Sequence, residues 1–174
     1  GGAARRACAH PEKGLMPPGQ FIGFAEETGL IVPIGGWVLE RACAQNKAWQ
    51  DAGLPRIPVA VNMSARQCEQ HDVDSVIERA LRASRLAPEC LELEITESSA
   101  MQNAENTIYT LREFKSLGVR IAMDDFGTGY SSLNYLKRFP IDTLKLDKSF
   151  VTAITTEPRA GAIGTPVHPA RDSR

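Results

Sequence analysis

Polar side chains stand where the predicted strands end, and their types suit metal-assisted hydrolysis of a phosphoester. These residues are Asn62, Glu94, Asp124, Asp125 and Lys145. Because the carboxyl ends of parallel strands share one face of an α/β fold, the five side chains are expected to converge on one mouth. Carboxylate and amide oxygens favour Mg²⁺, Mn²⁺ or Ca²⁺ over zinc or copper. Adjacent Asp124 and Asp125 could serve two ions, and Lys145 adds a cation for phosphate.

Each of these residues also has a purely structural interpretation. Asn62 could form a turn or cap a helix, and Asp125 could cap the glycine turn that follows it. Glu94 could pair with Lys145 across neighbouring strands. These structural roles do not easily explain why every predicted strand ends in a polar residue, since buried strands carry polar groups mainly where a functional site uses them. The set as a whole therefore predicts a functional site.

The elements that would position these residues alternate along the chain. Apolar residues at helical spacing predict two helices within residues 20–50, after a loop at residues 11–19. Strand-like runs then alternate with helical segments, in the order IPVAVNMS, LELEITES, VRIAMDDFG and TLKLDKSFV. No tight hairpin turn joins these runs, so they predict a parallel sheet with right-handed crossovers, as a barrel or a doubly wound sheet. Residues 157–174 lose the periodicity and are predicted to form a disordered tail.

Composition excludes several classes of protein. The chain has 174 residues, of which 43% are hydrophobic and 24% charged, which is typical of a globular domain. With a net charge of -1, the chain has no overall positive charge to attract DNA. An anionic ligand would therefore have to bind at a local site. Without a membrane-spanning run or a signal peptide, this segment is expected in the cytoplasm, although a full-length protein could be tethered to a membrane elsewhere. The four scattered cysteines are expected to be reduced, structural thiols.

The sequence resembles the EAL domain family of TIM-barrel phosphodiesterases, which linearise bacterial cyclic di-GMP. The matching segments, in order, are HPEKGLMPPGQFIGFAEETGLI, VAVNMSARQ, LELEITES and IAMDDFGTGYSSLNYLKRFPIDTLKLDKSFV. DDFGTGYSSL followed by LKLDKSFV is a highly specific signature. The resemblance implies an α/β fold that is a partial TIM-type (β/α)8 barrel, with about the middle of the barrel present. Residues 10–156 would form this partial EAL domain, behind a degenerate N-terminal edge at residues 1–9.

The resemblance also implies roles for individual residues. The positions that match the family's metal ligands are Asn62, Glu94, Asp124 and Asp125. The first three would hold one Mg²⁺ or Mn²⁺ ion, and the two aspartates would help to hold a second. Asp125 and Lys145 would serve catalysis, with Lys145 orienting or helping to activate the attacking water. Glu97 resembles the glutamate that steadies the loop Phe126 to Ser132, but it could equally be a capping residue at a helix start. No residue is assigned to substrate binding.

Parts of the family pattern are missing. The Glu-Ala-Leu strand that names the family, with an Arg shortly after it, reads here as Ala3, Ala4, Arg5 and, for the Arg, Ala7. A metal-binding glutamate and a phosphate-binding arginine are therefore absent. The later strands, with a further metal-ligand Glu and a substrate-holding Gln, are replaced by the proline-rich tail. Because a TIM barrel needs eight strands, the isolated chain is expected to be marginally stable or prone to aggregate.

Two functions follow from the resemblance. The first is metal-dependent hydrolysis of cyclic di-GMP to linear pGpG, in a domain that is incomplete here and has little turnover. The alternative is a non-catalytic module of bacterial signalling that binds cyclic di-GMP or another protein. A third hypothesis is an unrelated Mg²⁺-dependent barrel, such as an enolase-like lyase with Lys145 as general base. The resemblance further implies GGDEF or sensor domains in the full-length protein, and a homodimer formed through the DDFGTG loop region.

Overall fold

The structure is a computed structural model that describes residues 2–3, 8–10, 14–127 and 133–147. The strands are β1 (Gly2–Ala3), β2 (Cys8–His10), β3 (Gly14–Met16), β4 (Val59–Asn62), β5 (Leu91–Thr96), β6 (Arg120–Phe126) and β7 (Thr143–Leu146). The α-helices are α1 (Ile22–Thr28), α2 (Ile31–Asp51), α3 (Ala65–Cys68), α4 (Val73–Ser84), α5 (Glu97–Gln102), α6 (Ala104–Ser116) and α7 (Leu133–Leu136). Short 3-10 turns at Pro18–Gln20 and Pro88–Cys90 precede α1 and β5.

Five strands form one parallel sheet in the order β1-β4-β5-β6-β7. Helical segments connect the strands from β4 to β7. Parallel pairing requires such crossovers, because the chain must return to the end of the sheet at which the previous strand began before the next strand can start. The predicted α/β fold with a parallel sheet is therefore confirmed. All four strands that the periodicity predicts are present.

The periodicity of the sequence did not reveal the first three strands, although the resemblance placed a family strand where β1 lies. Residues 11–19 were expected to form a loop, but Gly14–Met16 pairs with Cys8–His10 as an antiparallel ribbon. β1 lies at the edge of the main sheet, where Gly2 pairs with Val59 and Ala3 with Ala60. Strands of two or three residues carry too little alternation to be recognised, because their extended shape comes from the strand they pair with. The predicted tail at residues 157–174 lies outside the described residues, and the domain bounds remain predictions.

The core lies between the sheet and the helices that cover one of its faces. Every second residue of the strands points into this core: Val59, Val61, Leu91, Leu93, Ile95, Ile121 and Met123. The helices contribute Leu39 and Cys43 from α2, Ile77 from α4, and Leu111 and Phe114 from α6, all almost fully buried. Burial of each large apolar side chain stabilises the fold by about 1.5 to 3 kcal/mol. Because the strand period is two, the alternate positions face the other side of the sheet, where the polar residues lie.

The edge strand β7 departs from this pattern. Leu144 pairs in register with the fully buried Met123, and Leu146 pairs with Phe126. However, Leu144 is 38% exposed and Leu146 is 50% exposed. Apolar side chains on the face that is elsewhere covered by helices leave the strand open to other apolar surfaces. The aggregation of the isolated chain itself stays a prediction.

Cys43, Cys68 and Cys90 carry free thiols, as the sequence analysis expects for these three. Burial raises the pKa of Cys43 to about 12. Burial, with the charge of Glu69, raises the pKa of Cys68 to about 12 as well. Because the thiolate is the reactive form, these two thiols are structural.

Within the described ranges, no single helix is long and apolar enough to cross a membrane. α1 and α2 reach that length and apolarity only as a pair, and the chain bends by 120° between them.

Candidate functional site

The site lies on the face of the sheet opposite the helical core, at the carboxyl ends of the strands. Asn62 is the last residue of β4, and it pairs in register with Glu94 on β5. Asp124 lies near the end of β6, and Lys145 lies on β7. The parallel pairing thus brings residues from four strands to one mouth, as the sequence analysis predicts.

The closest contact in this mouth joins Lys145 and Glu94. The lysine ammonium donates a hydrogen bond to the Oε1 atom of Glu94, whose side chain is only 4% exposed. The two residues are not on neighbouring strands, because β6 lies between β5 and β7. Ala122 occupies the register position on β6 between Glu94 and Thr143. Since alanine has a short side chain, the lysine can reach across the middle strand to the glutamate.

Glu92 is a member of the site that the sequence analysis did not identify. Its Oε1 atom lies 3.8 Å from the Nζ atom of Lys145, and its Oε2 atom accepts a hydrogen bond from the Thr143 hydroxyl at 3.5 Å. Glu92 precedes Glu94 by two positions on one strand, so both side chains lie on the same face. That spacing was the signal that could have revealed Glu92. Lys145 therefore has two carboxylates within reach.

These neighbours control the protonation of Lys145. Burial alone would lower the pKa of Lys145, but the hydrogen bond to Glu94 and the charges of Glu94, Glu92 and Asp124 outweigh it. The net effect raises the pKa above its ordinary value of 10.5. Lys145 is therefore a cation at neutral pH, and in this arrangement it acts as a hydrogen-bond donor and a positive charge.

Asp124 and Asp125 lie at an irregularity of β6. The register with β7 shifts between Met123 and Phe126, so the two aspartates occupy a bulge. The Oδ1 atom of Asp124 accepts a hydrogen bond from the Asp125 backbone N–H at 3.0 Å, and Asp125 has a left-handed φ of 54°. Burial, followed by the charges of Asp124 and Asp147, raises the pKa of Asp125. The bulge places an exposed carboxylate, Asp125, next to the half-buried carboxylate of Asp124, where a regular strand would turn one of the two inward.

Glu97, the first residue of α5, connects this helix to the end of β6. Its side chain is almost fully buried, and its Oε2 atom accepts a hydrogen bond from the Gly127 backbone N–H at 2.7 Å. The capping role belongs to Thr96, whose hydroxyl accepts from the Ser99 N–H at 3.2 Å. Gly127 belongs to the loop from Phe126 to Ser132 that Glu97 is expected to steady. Residues 128–132 of that loop lie outside the described ranges. The steadying of that loop by Glu97 therefore stays a prediction.

The structure does not support Asn62 as a helix cap. Ser64 caps α3 instead: its hydroxyl accepts from the Gln67 N–H at 3.3 Å, and the Gln67 side chain accepts from the Ser64 N–H at 3.2 Å. The Asn62 side chain is exposed at the mouth, two residues before this cap.

A cleft of about 420 Å³ adjoins Asn62. Apolar side chains of α1 and α2 line one side, and polar side chains that follow β4 and β5 line the other. Representative lining residues are Ile22, Ile34, Val38, Asn62, Ser64 and Thr96. The sequence analysis did not identify this cleft, because its two walls come from segments far apart in the chain. The site therefore combines a charged mouth with a partly apolar recess.

The chemistry of the donor set fits a hard divalent cation, because the available ligands are carboxylate and amide oxygens. Among the described residues, however, no three His, Cys, Asp or Glu side chains form a ready-made metal cluster. Glu94 is held by Lys145, and Asp124 accepts from its own neighbour. Ala3, which the sequence analysis expects in place of a metal-binding glutamate, occupies the register position beside Ala60 on the edge strand, and an alanine side chain carries no ligand atom. An ion that binds Glu94 would therefore share this carboxylate, or compete for it, with Lys145, which already binds the Oε1 atom.

Comparison with known proteins now identifies the class of domain. The family model of the EAL domain matches residues 1–167. The chain therefore belongs to the EAL domain family.

Two bacterial relatives illustrate the similarity. The chain is 48% identical over 153 residues to the signaling protein YkoW of Bacillus subtilis, covering 88% of this chain and 19% of that protein. It is 43% identical over 148 residues to the cyclic di-GMP phosphodiesterase PdeR of Escherichia coli, covering 85% of this chain and 22% of that protein. The chain thus spans about a fifth of the length of these curated relatives.

A solved structure, the PaMucR phosphodiesterase in complex with c-di-GMP, is similar to this chain with a TM-score of 0.84 and 44% sequence identity. The match covers 92% of this chain and 65% of that one. The FimX EAL domain from Pseudomonas aeruginosa, at 24% identity and a TM-score of 0.80 over 92% of this chain and 64% of that one, shares the fold. These similarities confirm the predicted fold class, and a partial barrel agrees with them.

Proposed function

We propose that this chain is part of an EAL domain that binds cyclic di-GMP and, when complete, hydrolyses it to linear pGpG with divalent ions. The observation that carries the proposal is the mouth itself. Glu94 and Lys145 meet there, beside Asn62 and Asp124, at the carboxyl ends of a parallel sheet. A chain similar to this one at 44% identity has been solved in complex with c-di-GMP, which supports the same ligand here.

Residues of the mouth would hold the ions. The oxygen donors are Asn62, Glu94, Asp124 and Asp125, and they suit Mg²⁺ or Mn²⁺. A bound divalent ion would polarise a phosphoryl oxygen and make water a better nucleophile at neutral pH. Asp124 and Asp125, which lie side by side at the bulge of β6, would share in a second site.

Lys145 supplies a positive charge to this mouth. Since it is protonated, it would orient the attacking water or a phosphate oxygen by donating a hydrogen bond. Glu92 offers it a second carboxylate at 3.8 Å, so the ammonium would stay paired when an ion takes Glu94. Asp125 would serve catalysis beside Lys145 by helping to hold the second ion.

The cleft beside Asn62 would hold a base of the ligand. Its volume of about 420 Å³ and its apolar wall suit a flat purine ring, with Ser64 and Thr96 available for hydrogen bonds. The phosphates would then lie over the charged mouth. This placement separates base recognition on α1 and α2 from phosphate chemistry on the strands.

One observation favours a second function, binding without hydrolysis. Ala3 on the edge strand gives no carboxylate to the mouth, and Lys145 occupies Glu94. A metal site that lacks one ligand from its first coordination shell loses more than the roughly 10- to 100-fold in affinity that follows from changing an outer partner. Such a chain would work as a receptor or an interaction module in signalling.

Other parts of the proposal concern the full-length protein. We infer that the protein is located in the cytoplasm. We also infer that the full-length protein, like its much longer relatives, carries GGDEF or sensor domains outside this segment. Finally, we infer that it forms a homodimer through the DDFGTG loop region. Residues 128–132 of that loop lie outside the described part of the chain.

The test is isothermal titration of cyclic di-GMP into the purified chain, once with Mg²⁺ and once with EDTA, followed by chromatography for linear pGpG. Binding without product is expected for this chain. Asn62→Ala should weaken binding, and Asn106→Ala, which changes an exposed asparagine of α6, is the matched control. Absence of both binding and product from folded protein would contradict the proposal. Formation of product would reject the receptor alternative and show that other groups replace the missing glutamate.

A further inference from the structure

Two adjacent residues of the short helix α3, Arg66 and Gln67, contact both helices that form the apolar wall of the cleft. Gln67 packs into α2, and Arg66 binds the end of α1. α3 itself follows Asn62 by only two residues. The two contacts therefore connect the polar side of the cleft directly to its apolar side.

The Gln67 contact depends on a glycine. Gln67 is 5% exposed, and its amide lies against the backbone of Gly35 in α2. A Cβ atom at Gly35 would lie 2.5 Å from the Gln67 Cδ atom, a distance that real Cβ contacts do not reach. The neighbouring Gly36 is different, since a Cβ there would meet only Val76 at an ordinary 3.6 Å. Gly35 thus provides the space that lets Gln67 approach the helix.

The same glutamine is attached to the chain that carries Asn62. Its Oε1 atom accepts from the N–H and the hydroxyl of Ser64, both at 3.2 Å. Its Nε2 atom lies 3.8 Å from the Met63 sulfur. A shift of Gln67 would consequently move the two residues that directly follow Asn62.

Arg66 makes the corresponding contact with α1. Its Nη1 atom donates to the carbonyl oxygens of Glu26 at 2.6 Å and Glu27 at 3.2 Å, in the last turn of the helix. A cation suits the carbonyl end of a helix, where the backbone acceptors have no helical partners. The Arg66 side chain is exposed, so this contact adds little to overall stability. Its effect is to hold α1 at a set distance from α3.

We propose that Arg66 and Gln67 are positioning residues that set the width of the cleft between α1–α2 and Asn62, and through it the affinity for the base of a cyclic dinucleotide. The inference rests on the proposed function for the identity of the ligand. The geometry of the two contacts does not depend on that function.

The first test compares Gly35→Ala with Gly36→Ala in the whole chain. Both changes replace a glycine of the same helix and bring the same gain in helix propensity. Only the first meets Gln67, and only Gly35 also lines the cleft, so the Arg66 variants and hydrogen exchange below separate a shift of Gln67 from direct filling of the cleft. We expect Gly35→Ala to raise the dissociation constant of cyclic di-GMP about tenfold, equivalent to about 1.4 kcal/mol, and Gly36→Ala to leave it unchanged. Equal constants for the two folded variants would overturn the proposal.

Arg66 provides a second test, which does not disturb the core. Arg66→Ala should weaken binding of cyclic di-GMP, and Arg66→Lys should restore most of it, because an ammonium can also donate to the two carbonyls. A role in stability alone would leave both variants equal to wild type well below the melting temperature. Circular dichroism confirms that each variant is folded.

Hydrogen exchange separates this inference from the proposed function, since it needs no ligand. The amides of Gln67 and Cys68, which bond to Ser64 and hold α3 together, should exchange faster in Gly35→Ala than in Gly36→Ala. If the wild-type chain fails to bind cyclic di-GMP, the proposed function fails. In that case, faster exchange of the Gln67 and Cys68 amides in Gly35→Ala still supports the role of Gln67 in positioning the wall of the cleft. Equal exchange in the two variants refutes that role.

Discussion

Lys145 on β7 binds Glu94 on β5 across the whole width of β6. The glutamate is 4% exposed and the lysine 35% exposed, so the pair lies at the boundary between the sheet and the mouth. A buried carboxylate is costly unless it is paired, and this lysine supplies the opposite charge. The contact therefore offsets the cost of burying the Glu94 carboxylate.

Replacing this lysine should destabilise the fold. Lys145→Met leaves Glu94 buried without its cation, and we expect the free energy of unfolding to fall by about 2 kcal/mol. This value is below the roughly 3 to 5 kcal/mol of a fully buried pair because the lysine is partly exposed. The control is Lys47→Met, which breaks the surface pair of Lys47 with Asp51 and should cost less than about 0.5 kcal/mol. Urea denaturation at pH 7 measures the free energy of unfolding of both variants. Equal decreases would show that the Lys145–Glu94 pair stabilises the fold no more than a surface ion pair does.

Stability should also depend on pH through Asp142, which precedes β7. Burial alone would raise the pKa of Asp142, but hydrogen bonds from Lys115 and the Ile121 N–H, both at 2.8 Å, lower it below 3.8. A lowered pKa in the folded state means that the stabilisation is complete above the unfolded pKa and is lost as pH falls through the folded value.

Asp142→Asn should therefore lower the free energy of unfolding by about 1 kcal/mol at pH 7, with a difference that narrows below about pH 4. Denaturation midpoints measured from pH 7 to pH 3 provide the check. Asp51→Asn, on the exposed end of α2, is the control for a general charge effect. A difference that stays constant across this range would contradict the pKa assignment.

The bond from Glu97 to Gly127 should control the start of the loop after β6. Glu97→Gln keeps an acceptor oxygen but removes the charge, and a hydrogen bond to a charged group is worth about 1.5 to 3 kcal/mol. We expect the Gly127 amide to exchange with solvent at least about tenfold faster in the variant, as the loss of about 1.4 kcal/mol implies. The exposed Glu89→Gln serves as the control. If the two variants protect Gly127 equally, the glutamate does not hold this backbone.

Restoring a carboxylate at the edge strand should strengthen metal binding. Ala3 occupies the register position beside Ala60, and the strand that contains Ala60 ends at Asn62. Ala3→Glu should lower the dissociation constant of Mn²⁺ by more than about tenfold, because it adds a ligand rather than an outer partner. Isothermal titration of Mn²⁺ measures the change. Ala44→Glu, which adds the same charge to the exposed face of α2, should have no effect, and a similar gain there would indicate simple charge attraction.

The sequence by itself determined the elements that depend on local pattern. Alternating apolar residues predicted β4 to β7, and the spacing of apolar residues predicted the helices between them. The order of these elements required a parallel sheet, and a parallel sheet required Asn62, Glu94, Asp124 and Lys145 to meet at one mouth. The resemblance to the EAL domain family followed from the same segments.

The sequence analysis named the pair of Glu94 and Lys145 but placed it on neighbouring strands, and only the tertiary structure decided how the side chains meet. Ala122 lets Lys145 reach Glu94 across a strand, Glu92 joins the same lysine, and Gln67 enters α2 where Gly35 has no side chain. β1 is a strand only because β4 lies beside it. These contacts join segments far apart in the chain, so they depend on side-chain sizes and on packing distances between elements. No local pattern records those distances, because they are set only when the sheet and helices pack together.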